Sequence, residues 1–285
     1  MAFVDNTPKY IVLYSTSDCN HRCSHCFVDH NLTWAADELC RIASILSQKC
    51  LVHINGAEPL LHLDLLQAYK VVGQKFIFTN GLVFTGERRF AVIEELKTCG
   101  ITDIRLSHHF QAVESLNAVP QETVERVTRY LLSQGFNVHY NTTVTVDNYL
   151  FLDENCERAF KLGVNRIKFF PLLGLGRAKQ IAPNLGLSPS QMKAFYELVC
   201  LQREKYSYDE LAIKVSGDFS GISPRFKCNY GEHSYAITPD MSVYGCVFAI
   251  STHKPIGHLL NDGKIIIEHS FSHDGSRCFL NCPIT

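Results

Sequence analysis

Short apolar runs alternate with longer amphipathic segments along the first 214 residues of the chain. The apolar runs have the length of strands, and the amphipathic segments repeat apolar residues every three or four positions, as one face of a helix requires. Predicted strands cover residues 10–16, 51–55, 75–79, 103–107, 136–146 and 166–172, and predicted helices cover residues 33–48, 62–72, 87–99, 121–134, 150–162 and 188–206. Strand–helix units in succession require a parallel sheet with helical crossovers, so the pattern predicts an α/β fold.

Residues with capping preferences support several of these helix boundaries. Thr33 is expected to cap the first helix, and Ser188, followed by Pro189, is expected to begin the last one. Glycine just past a helix adopts the left-handed conformation that terminates it. The glycines expected to do so are Gly100, Gly135 and Gly163.

The alternation fits either an open barrel or a doubly wound sheet. We favour a partial (β/α)6 TIM-like barrel, because the candidate functional residues all follow the carboxyl ends of predicted strands, where barrel sites are built. This barrel core is expected to span residues 1–214. Residues 215–285 are expected to form a small cysteine-rich extension, with a linker at residues 215–226 and a hairpin at residues 235–246.

Charge and hydropathy exclude several classes of partner. The chain carries 27 Lys and Arg against 28 Asp and Glu, so it lacks the basic excess that nucleic acids or anionic membranes attract. Its apolar stretches are too short to span a bilayer, and residues 1–10 contain no apolar segment of a secretory signal. We therefore expect a cytoplasmic protein with no nucleic-acid partner and no membrane partner.

The cysteines are the most informative residues of the composition. There are 12, and several are clustered, which in a cytoplasmic chain of this size indicates metal or redox chemistry rather than disulfides. Five stand alone and are expected to be small buried hydrophobic residues: Cys40, Cys50, Cys99, Cys156 and Cys200.

The first cluster is a CxxxCxxC triplet, Cys19, Cys23 and Cys26, in the loop after the first predicted strand. Thiolates select iron–sulfur clusters, copper(I) or zinc, and three thiolates leave one iron of a four-iron cube open, as a catalytic site needs. A zinc site would need a fourth ligand, which His21 or His25 could supply. Three buried, unliganded cysteines are a further alternative, which the polar residues around them disfavour.

This triplet, followed by the aromatic Phe27, resembles the signature of the radical S-adenosylmethionine enzymes. The resemblance implies a [4Fe–4S] cluster on Cys19, Cys23 and Cys26, with S-adenosylmethionine bound to the open iron through its amino and carboxylate groups. It implies reductive cleavage to a 5′-deoxyadenosyl radical, which abstracts a hydrogen atom from an unactivated carbon. It also implies an electron donor such as flavodoxin or ferredoxin.

The segment Gly56-Ala57-Glu58-Pro59, after the second predicted strand, is similar to the GGEP segment of that family. In the family, the exposed backbone of this segment binds the methionine amino group. Ala57 replaces the second glycine, a mild departure because alanine permits most backbone conformations. In isolation, the same residues would be an ordinary strand-to-helix turn.

Asn80 lies in a Thr-Asn-Gly turn that resembles a turn of the family, and Ser107 ends the fourth predicted strand, where the family often has a serine near the S-adenosylmethionine carboxylate. The acidic residue usual beyond that serine is replaced by His108 and His109. These two are expected to be solvated loop histidines, with contact to substrate as the alternative.

Two further residues complete the set implied by the resemblance. Asn141, inside the fifth predicted strand, resembles the polar residue that meets the ribose; a polar strand residue facing a helix is the alternative. Arg177 lies in a Gly-Arg-Ala turn similar to that of SPASM-type members, where it would reach a carboxylate of cofactor or substrate. No catalytic side chain is assigned.

The last four cysteines resemble the twitch extension of the family, a shortened SPASM domain with one auxiliary [4Fe–4S] cluster. They are Cys228, Cys246, Cys278 and Cys282. Met241 stands where the family usually has a glycine five residues before the hairpin cysteine, and the final pair is CxxxC where CxxC is also common. A structural zinc site with four cysteine ligands is the alternative.

The resemblance favours a ribosomally synthesised peptide as substrate, modified by crosslinking, oxidation or epimerisation. The alternative is dehydrogenation or epimerisation of an aminoglycoside-type or other small molecule, because only 18 residues precede Cys19 and no leader-binding domain fits there. A non-catalytic zinc-binding interaction protein is a more remote alternative.

Overall fold

The computed structural model describes residues 8–28, 31–215, 234–251 and 253–268. The strands are β1 (Tyr10–Tyr14), β2 (Leu51–Asn55), β3 (Phe76–Thr79), β4 (Asp103–Ser107), β5 (Asn137–Val144), β6 (Arg166–Pro171), β7 (Ala212–Val215), β8 (Ser234–Ile237), β9 (Ser242–Tyr244), β10 (Gly257–Leu259) and β11 (Ile265–Ile267). The helices are α1 (Ala36–Ser47), α2 (Leu66–Val71), α3 (Arg89–Thr98), α4 (Gln121–Ser133), α5 (Leu152–Lys161), α6 (Ala182–Leu185) and α7 (Pro189–Lys205).

The strands form two sheets. In the first, β1 pairs in parallel with both β2 and β8, and β9, β10 and β11 continue from β8 as antiparallel strands. In the second, β3 to β7 lie in sequential order and are all parallel. The predicted α/β fold with a parallel sheet and helical crossovers is confirmed, and the strand order suits a partial barrel.

A buried glutamine joins the two sheets where β2 and β3 share no ladder. The side-chain amide of Gln74 accepts a hydrogen bond from Ile54 N (2.7 Å) and donates to Ile54 O (2.9 Å) and Phe76 O (2.8 Å). Backbone groups at a gap between buried strands need partners, and one side chain here supplies three of them.

Alternate residues of each strand separate two faces of the barrel wall. Ile104 is buried in the main core that the helices share, whereas the neighbouring Arg105 is half-buried on the opposite face. On that opposite face, Tyr10 is hydrogen-bonded to His53 (2.8 Å), the His53 ring meets the Phe76 ring (5.1 Å), and the Arg105 guanidinium covers Phe76 (3.4 Å to its centroid). These contacts connect β1 to β4 across the gap; we call this side the inner face.

Most predicted helix ends are confirmed, and one cap is wrong. Ser188 forms a full capping box with Gln191, and the three predicted terminating glycines all have positive φ. Thr33 caps nothing: α1 begins after Ala35 without a side-chain cap. Thr33 instead forms a β-bridge with Thr16, and their hydroxyls are 2.7 Å apart. A long-range partner thus overrides the local preference of threonine for a cap.

Two parallel strands are absent from the prediction. The strand β7 extends the alternation beyond its predicted end, and β8, expected only as half of a hairpin, also pairs in parallel with β1. The antiparallel hairpin itself is confirmed. Local patterns do not reveal which distant strand a short segment joins. The domain division at residue 214 stays a prediction, and the expected linker lies outside the described residues beyond Val215.

The lone cysteines follow the expected burial only in part. Cys99 and Cys156 are buried and Cys40 and Cys50 are half-buried, but Cys200 is exposed, so that expectation was wrong for Cys200. Its position on α7 faces away from the core. Among the described residues, no helix combines the length and the apolar character needed to cross a membrane.

The Gln74 bridge gives a stability prediction. Gln74→Met keeps the volume but leaves the three backbone groups without their partner, so we expect the free energy of unfolding to fall by about 3 kcal/mol in urea denaturation. The matched control is Gln67→Met, an exposed glutamine whose side chain bonds Glu95 (2.8 Å), and its change should stay within about 0.5 kcal/mol. Equal effects of the two variants would show that the amide does not join the sheets.

Candidate functional site

The three clustered cysteines lie together in the irregular loop that follows β1. Cys19 is exposed, Cys23 and Cys26 are half-buried, and none is bonded to another described cysteine. Burial, followed by the neighbouring thiols of Cys26 and Cys19, raises the pKa of Cys23 to about 12. Thiolates that lie close together need a nearby positive charge. The three thiols of this loop are therefore suited to lose their protons when a metal binds.

The turn after β6 holds this loop from one side. Arg177 donates from its backbone N to Cys26 O (2.9 Å), from Nε to Cys23 O (2.9 Å) and from Nη1 to Val28 O (3.3 Å). The preceding Gly176 has a φ of +53°, and a Cβ there would lie 2.4 Å from Phe27 O. Only glycine therefore allows the two backbones to approach so closely. The predicted reach of Arg177 to a carboxylate stays a prediction, since in this structure its side chain binds the cysteine loop.

The loop after β4 holds the cysteine loop from a second side. Ser24 N donates to Leu116 O (2.8 Å), His21 Nε2 donates to Asn117 O (2.9 Å), and His25 Nδ1 lies 3.4 Å from Leu116 O. Burial lowers the pKa of His25 to about 4, so this ring is neutral at pH 7. Both histidines that could have completed a zinc site are thereby engaged with backbone carbonyls.

The arrangement of donors separates a cluster from a single ion. Across the described ranges, no three His, Cys, Asp or Glu side chains are grouped so as to hold one metal ion. A structural zinc ion needs four ligands around one point. In a four-iron cube each thiolate binds a different iron, so its sulfurs stand farther apart. The number of thiols in the loop equals the three ligands of a four-iron cube with one open iron.

The segment after β2 holds the cysteine loop from a third side. Ala57 N donates to Thr16 O (2.8 Å) and Glu58 N donates to Asp18 O (3.0 Å). A Cβ at Gly56 would lie 2.6 Å from Ser15 Oγ, which explains the glycine at that position. Ala57 has a negative φ and packs in the small core that includes Cys26. Alanine is therefore accommodated where the resemblance led us to expect a second glycine.

Glu58 is fully buried and connects the ends of β2 and β3. Its carboxylate accepts hydrogen bonds from Thr79 Oγ1 (2.7 Å) and Asn80 N (2.8 Å), and burial raises its pKa to about 7. The Asn80 side chain in turn donates to Asn20 Oδ1 (2.9 Å) and lies 3.6 Å from Cys19 Sγ. Asn80, already a candidate from its Thr-Asn-Gly turn, thus contacts the cysteine loop directly, and its contact with S-adenosylmethionine stays a prediction.

Ser107, the last residue of β4, and Asn141, within β5, are brought together as register partners. Both are half-buried and lie on the inner face, in alternation with the buried Leu106 and Tyr140. The alternative placement of Asn141, facing a helix, is therefore wrong. Their contact with S-adenosylmethionine stays a prediction.

The two histidines after Ser107 are buried, so the expectation of solvated loop residues was wrong. The His108 ring is 2% exposed and stacks on Tyr140 (4.2 Å), and neither of its nitrogens has a partner among the described residues. His109 Nδ1 accepts from Thr143 N (3.1 Å), and its ring lies 4.3 Å from that of His25. The loop folds back under the cysteine loop, which local polarity could not reveal.

One cysteine of the last group lies beside the first cluster. Cys246 is buried in the small core to which Cys26 and Phe27 also belong, and the Phe27 ring meets Phe248 (4.9 Å). Met241 has a φ of +64°, so it adopts the left-handed conformation for which glycine is suited. The remaining cysteines of the group lie outside the described residues: Cys228, Cys278 and Cys282.

Comparisons with known proteins agree with this description. No family model matches the chain. It is 26% identical over 274 residues to the mycofactocin maturase MftC of Mycobacterium tuberculosis, covering 87% of this chain and 66% of that protein. The chain thus spans just under two thirds of the length of this relative.

Solved structures share the fold. The crystal structure of Streptococcus suis SuiB bound to S-adenosylmethionine matches with a TM-score of 0.71 at 16% identity, covering 87% of this chain and 62% of that one. SuiB bound to its precursor peptide SuiA matches with a TM-score of 0.73 at 15% identity, covering 98% and 70%. The fold, the cysteine motif and these relatives together support the resemblance of the chain to the radical S-adenosylmethionine superfamily.

Proposed function

We propose that this chain is an enzyme that reductively cleaves S-adenosylmethionine and abstracts a hydrogen atom from an unactivated carbon of a ribosomally synthesised peptide. The observation that carries the proposal is the three-cysteine loop, held from three sides at the carboxyl ends of parallel strands. Barrel enzymes build their sites at this end, and the loop supplies three thiolates without a fourth ligand.

The three clustered cysteines would hold the catalytic cluster. Cys19, Cys23 and Cys26 would hold three irons of a [4Fe–4S] cluster and leave the fourth for S-adenosylmethionine. When bound and reduced, the cluster supplies the electron that cleaves the sulfonium to a 5′-deoxyadenosyl radical. The donor is a small electron carrier such as flavodoxin or ferredoxin.

The chain's own groups would bind and orient S-adenosylmethionine. Glu58 O and Pro59 O accept from Leu61 N and His62 N, so the carbonyls of Gly56 and Ala57 are the ones left to accept from the methionine amino group. Ser107 and Asn141 lie on the inner face, where they are suited to bind polar groups of the same molecule. Phe27 and Pro59 would close the apolar side of that site.

A peptide substrate is supported by two relatives. One is named a maturase, and the other was solved with a precursor peptide bound. No feature of the described residues favours an aminoglycoside-type substrate. The product, whether a crosslink, an oxidation or an epimer, follows from how the substrate radical is quenched.

The auxiliary cluster is part of the same proposal. Cys228, Cys246, Cys278 and Cys282 would bind a second [4Fe–4S] cluster within residues 215–285. Its support is the burial of Cys246 next to Phe248 and the left-handed Met241 at the position where the family has glycine. The segment that carries Cys246 contacts the first loop, since Phe248 packs on Phe27.

The mechanism is tested by anaerobic reconstitution followed by addition of dithionite and S-adenosylmethionine. We expect 5′-deoxyadenosine from the wild type, and none from a variant with Cys19, Cys23 and Cys26 all replaced by alanine, because that variant has no thiolates to hold the cluster. The matched control replaces Cys40, Cys50 and Cys200 by alanine and should retain product formation.

Iron analysis of the same samples tests the second cluster. Two clusters give about eight irons per wild-type chain, and the first alone gives about four. Product formation by the variant that lacks the first triplet would overturn the proposed function, as would zinc in place of iron.

The close approach at Gly176 gives a second prediction. In Gly176→Ala the added methyl collides with the cysteine loop, and the left-handed backbone is strained, so the free energy of unfolding should fall by roughly 2 kcal/mol. Iron incorporation should fall with it, because the loop can no longer seat against Arg177.

The neighbouring Gly174 offers the matched control. Its added methyl would lie 3.4 Å from Ala182 Cβ, an ordinary contact, so Gly174→Ala should stay within about 0.5 kcal/mol of wild type. Thermal denaturation and iron assays on both variants check this. Normal iron content in Gly176→Ala would show that the β6 turn does not hold the loop.

A further inference from the structure

Four cationic side chains lie on the inner face of the barrel. They belong to β4, β6 and β7 of the second sheet, in which β5 lies between β4 and β6, and are named here the lumen cations: Arg105, Arg166, Lys168 and Lys214. All four are half-buried and alternate with buried residues of their strands. Arg105 and Arg166 flank His139 in one register row, and Lys168 pairs with Lys214 in the next.

The lumen cations lack matching negative charge. Within the described ranges none of them forms an ion pair, and the buried Nε of Arg166 has no hydrogen-bond partner. The charges that act on Lys168 come from Arg105, Lys214 and Arg166, which are all positive. Asp103 is the acid that acts on Arg105, and it also lies 3.3 Å from His139 Nε2. Enclosed like charges are costly unless an anion joins them.

Aromatic rings support these side chains without neutralising them. The Arg105 guanidinium lies 3.4 Å from the centroid of Phe76 and 5.0 Å from that of Phe78, and Lys168 lies 4.9 Å from that of Phe170. Burial and then Arg166 lower the pKa of Arg105 to about 10, so it still carries its proton at neutral pH. Arg105 is thus held in place and remains charged.

Their position relates them to the proposed S-adenosylmethionine site. Lys168 is the register partner of Asn141, which itself pairs with Ser107, so these residues share one inward-facing row. Arg105 and Arg166 precede Ser107 and Lys168 by two residues on their own strands, which places them one layer deeper in the barrel. A substrate group that passed the S-adenosylmethionine site would therefore meet a growing number of positive charges.

We propose that the lumen cations bind a carboxylate of the substrate and so determine which end of it enters the barrel. This inference rests on the proposed function, because it assumes a peptide as the substrate. The carboxylate has two possible sources, the free carboxyl terminus of the peptide or an acidic side chain near it. Arginine and lysine together favour such a group through charge-assisted hydrogen bonds.

The test is affinity selection by reconstituted, full-length protein with S-adenosylmethionine present and no reductant. Three pools of N-acetylated pentapeptides of uncharged residues are compared by ultrafiltration and mass spectrometry. The first ends in a free carboxylate, the second in an amide, and the third in an amide with one internal glutamate. Retention of the first pool alone assigns the carboxyl terminus, and equal retention of the third assigns a side chain. If neither the first nor the third pool is retained more strongly than the second, the inference is overturned.

A variant pair makes the result specific to the lumen. Lys168→Met keeps the length of the side chain and should weaken retention of the carboxylate pool about tenfold or more. Lys193→Met, which removes an exposed lysine on α7 with 72% side-chain exposure, should change nothing. Without peptide, Lys168→Met should also melt at a higher temperature than wild type, because it relieves repulsion among like charges.

These outcomes are independent of the radical chemistry. Unchanged retention and an unchanged or lower melting temperature in Lys168→Met would overturn the role of the lumen cations. A wild-type protein that selects carboxylates but forms no 5′-deoxyadenosine with dithionite would instead overturn the proposed function. The two failures are thus distinguished by separate measurements.

Discussion

The site depends on one constraint: the loop that carries three cysteines has almost no regular structure, so its backbone polar groups need partners elsewhere. The ends of neighbouring strands supply them. Arg177, after β6, donates hydrogen bonds to the carbonyls of Cys23 and Cys26. The carbonyls of Leu116 and Asn117, after β4, accept hydrogen bonds from the loop. The segment after β2 donates to Thr16 and Asp18. The thiols themselves are left available.

Glu58 and the lumen cations show two ways in which the fold places charge inside a barrel. The carboxylate of Glu58 is buried but receives hydrogen bonds from Thr79 and Asn80, so it serves to join two strand ends. The side chains of Arg105 and Lys168 lie over aromatic rings. The charges that act on Lys168 are all positive, so acidic groups do not balance these cations. The hydrogen-bonding needs of Glu58 are met within the protein, whereas the positive charge of the lumen cations is balanced only when an anionic ligand binds.

The sequence predicted those features that local physics decides. The alternation of strands and helices, the Ser188 cap and the glycines that end helices depend on neighbours in the chain and were confirmed. The cysteine triplet follows β1 and Ser107 ends β4, so parallel pairing brings them to one edge, and Asn141 joins Ser107 as its register partner in β5. The resemblance to the radical S-adenosylmethionine superfamily was therefore accessible from motif and pattern together.

Apart from the exposure of Cys200, the misses depend on partners distant in the chain. Thr33 pairs with Thr16 instead of capping α1, and β8 pairs with β1 in addition to its hairpin partner. The His108 ring is buried against Tyr140. The lumen cations were overlooked because no predicted strand carries more than two of them, and a net charge of −1 conceals a local excess. Only the register of β4 to β7 brings them to one face.

Electron paramagnetic resonance of the reduced, reconstituted protein, before and after S-adenosylmethionine is added, tests the central claim most directly. The account places an open iron in a cluster held by Cys19, Cys23 and Cys26, so binding must perturb that iron. It predicts a reduced [4Fe–4S] signal whose g values change on addition of S-adenosylmethionine, and no such change when the triplet is replaced by alanine. A cluster signal indifferent to S-adenosylmethionine, or one that persists unchanged without the triplet, would contradict the account.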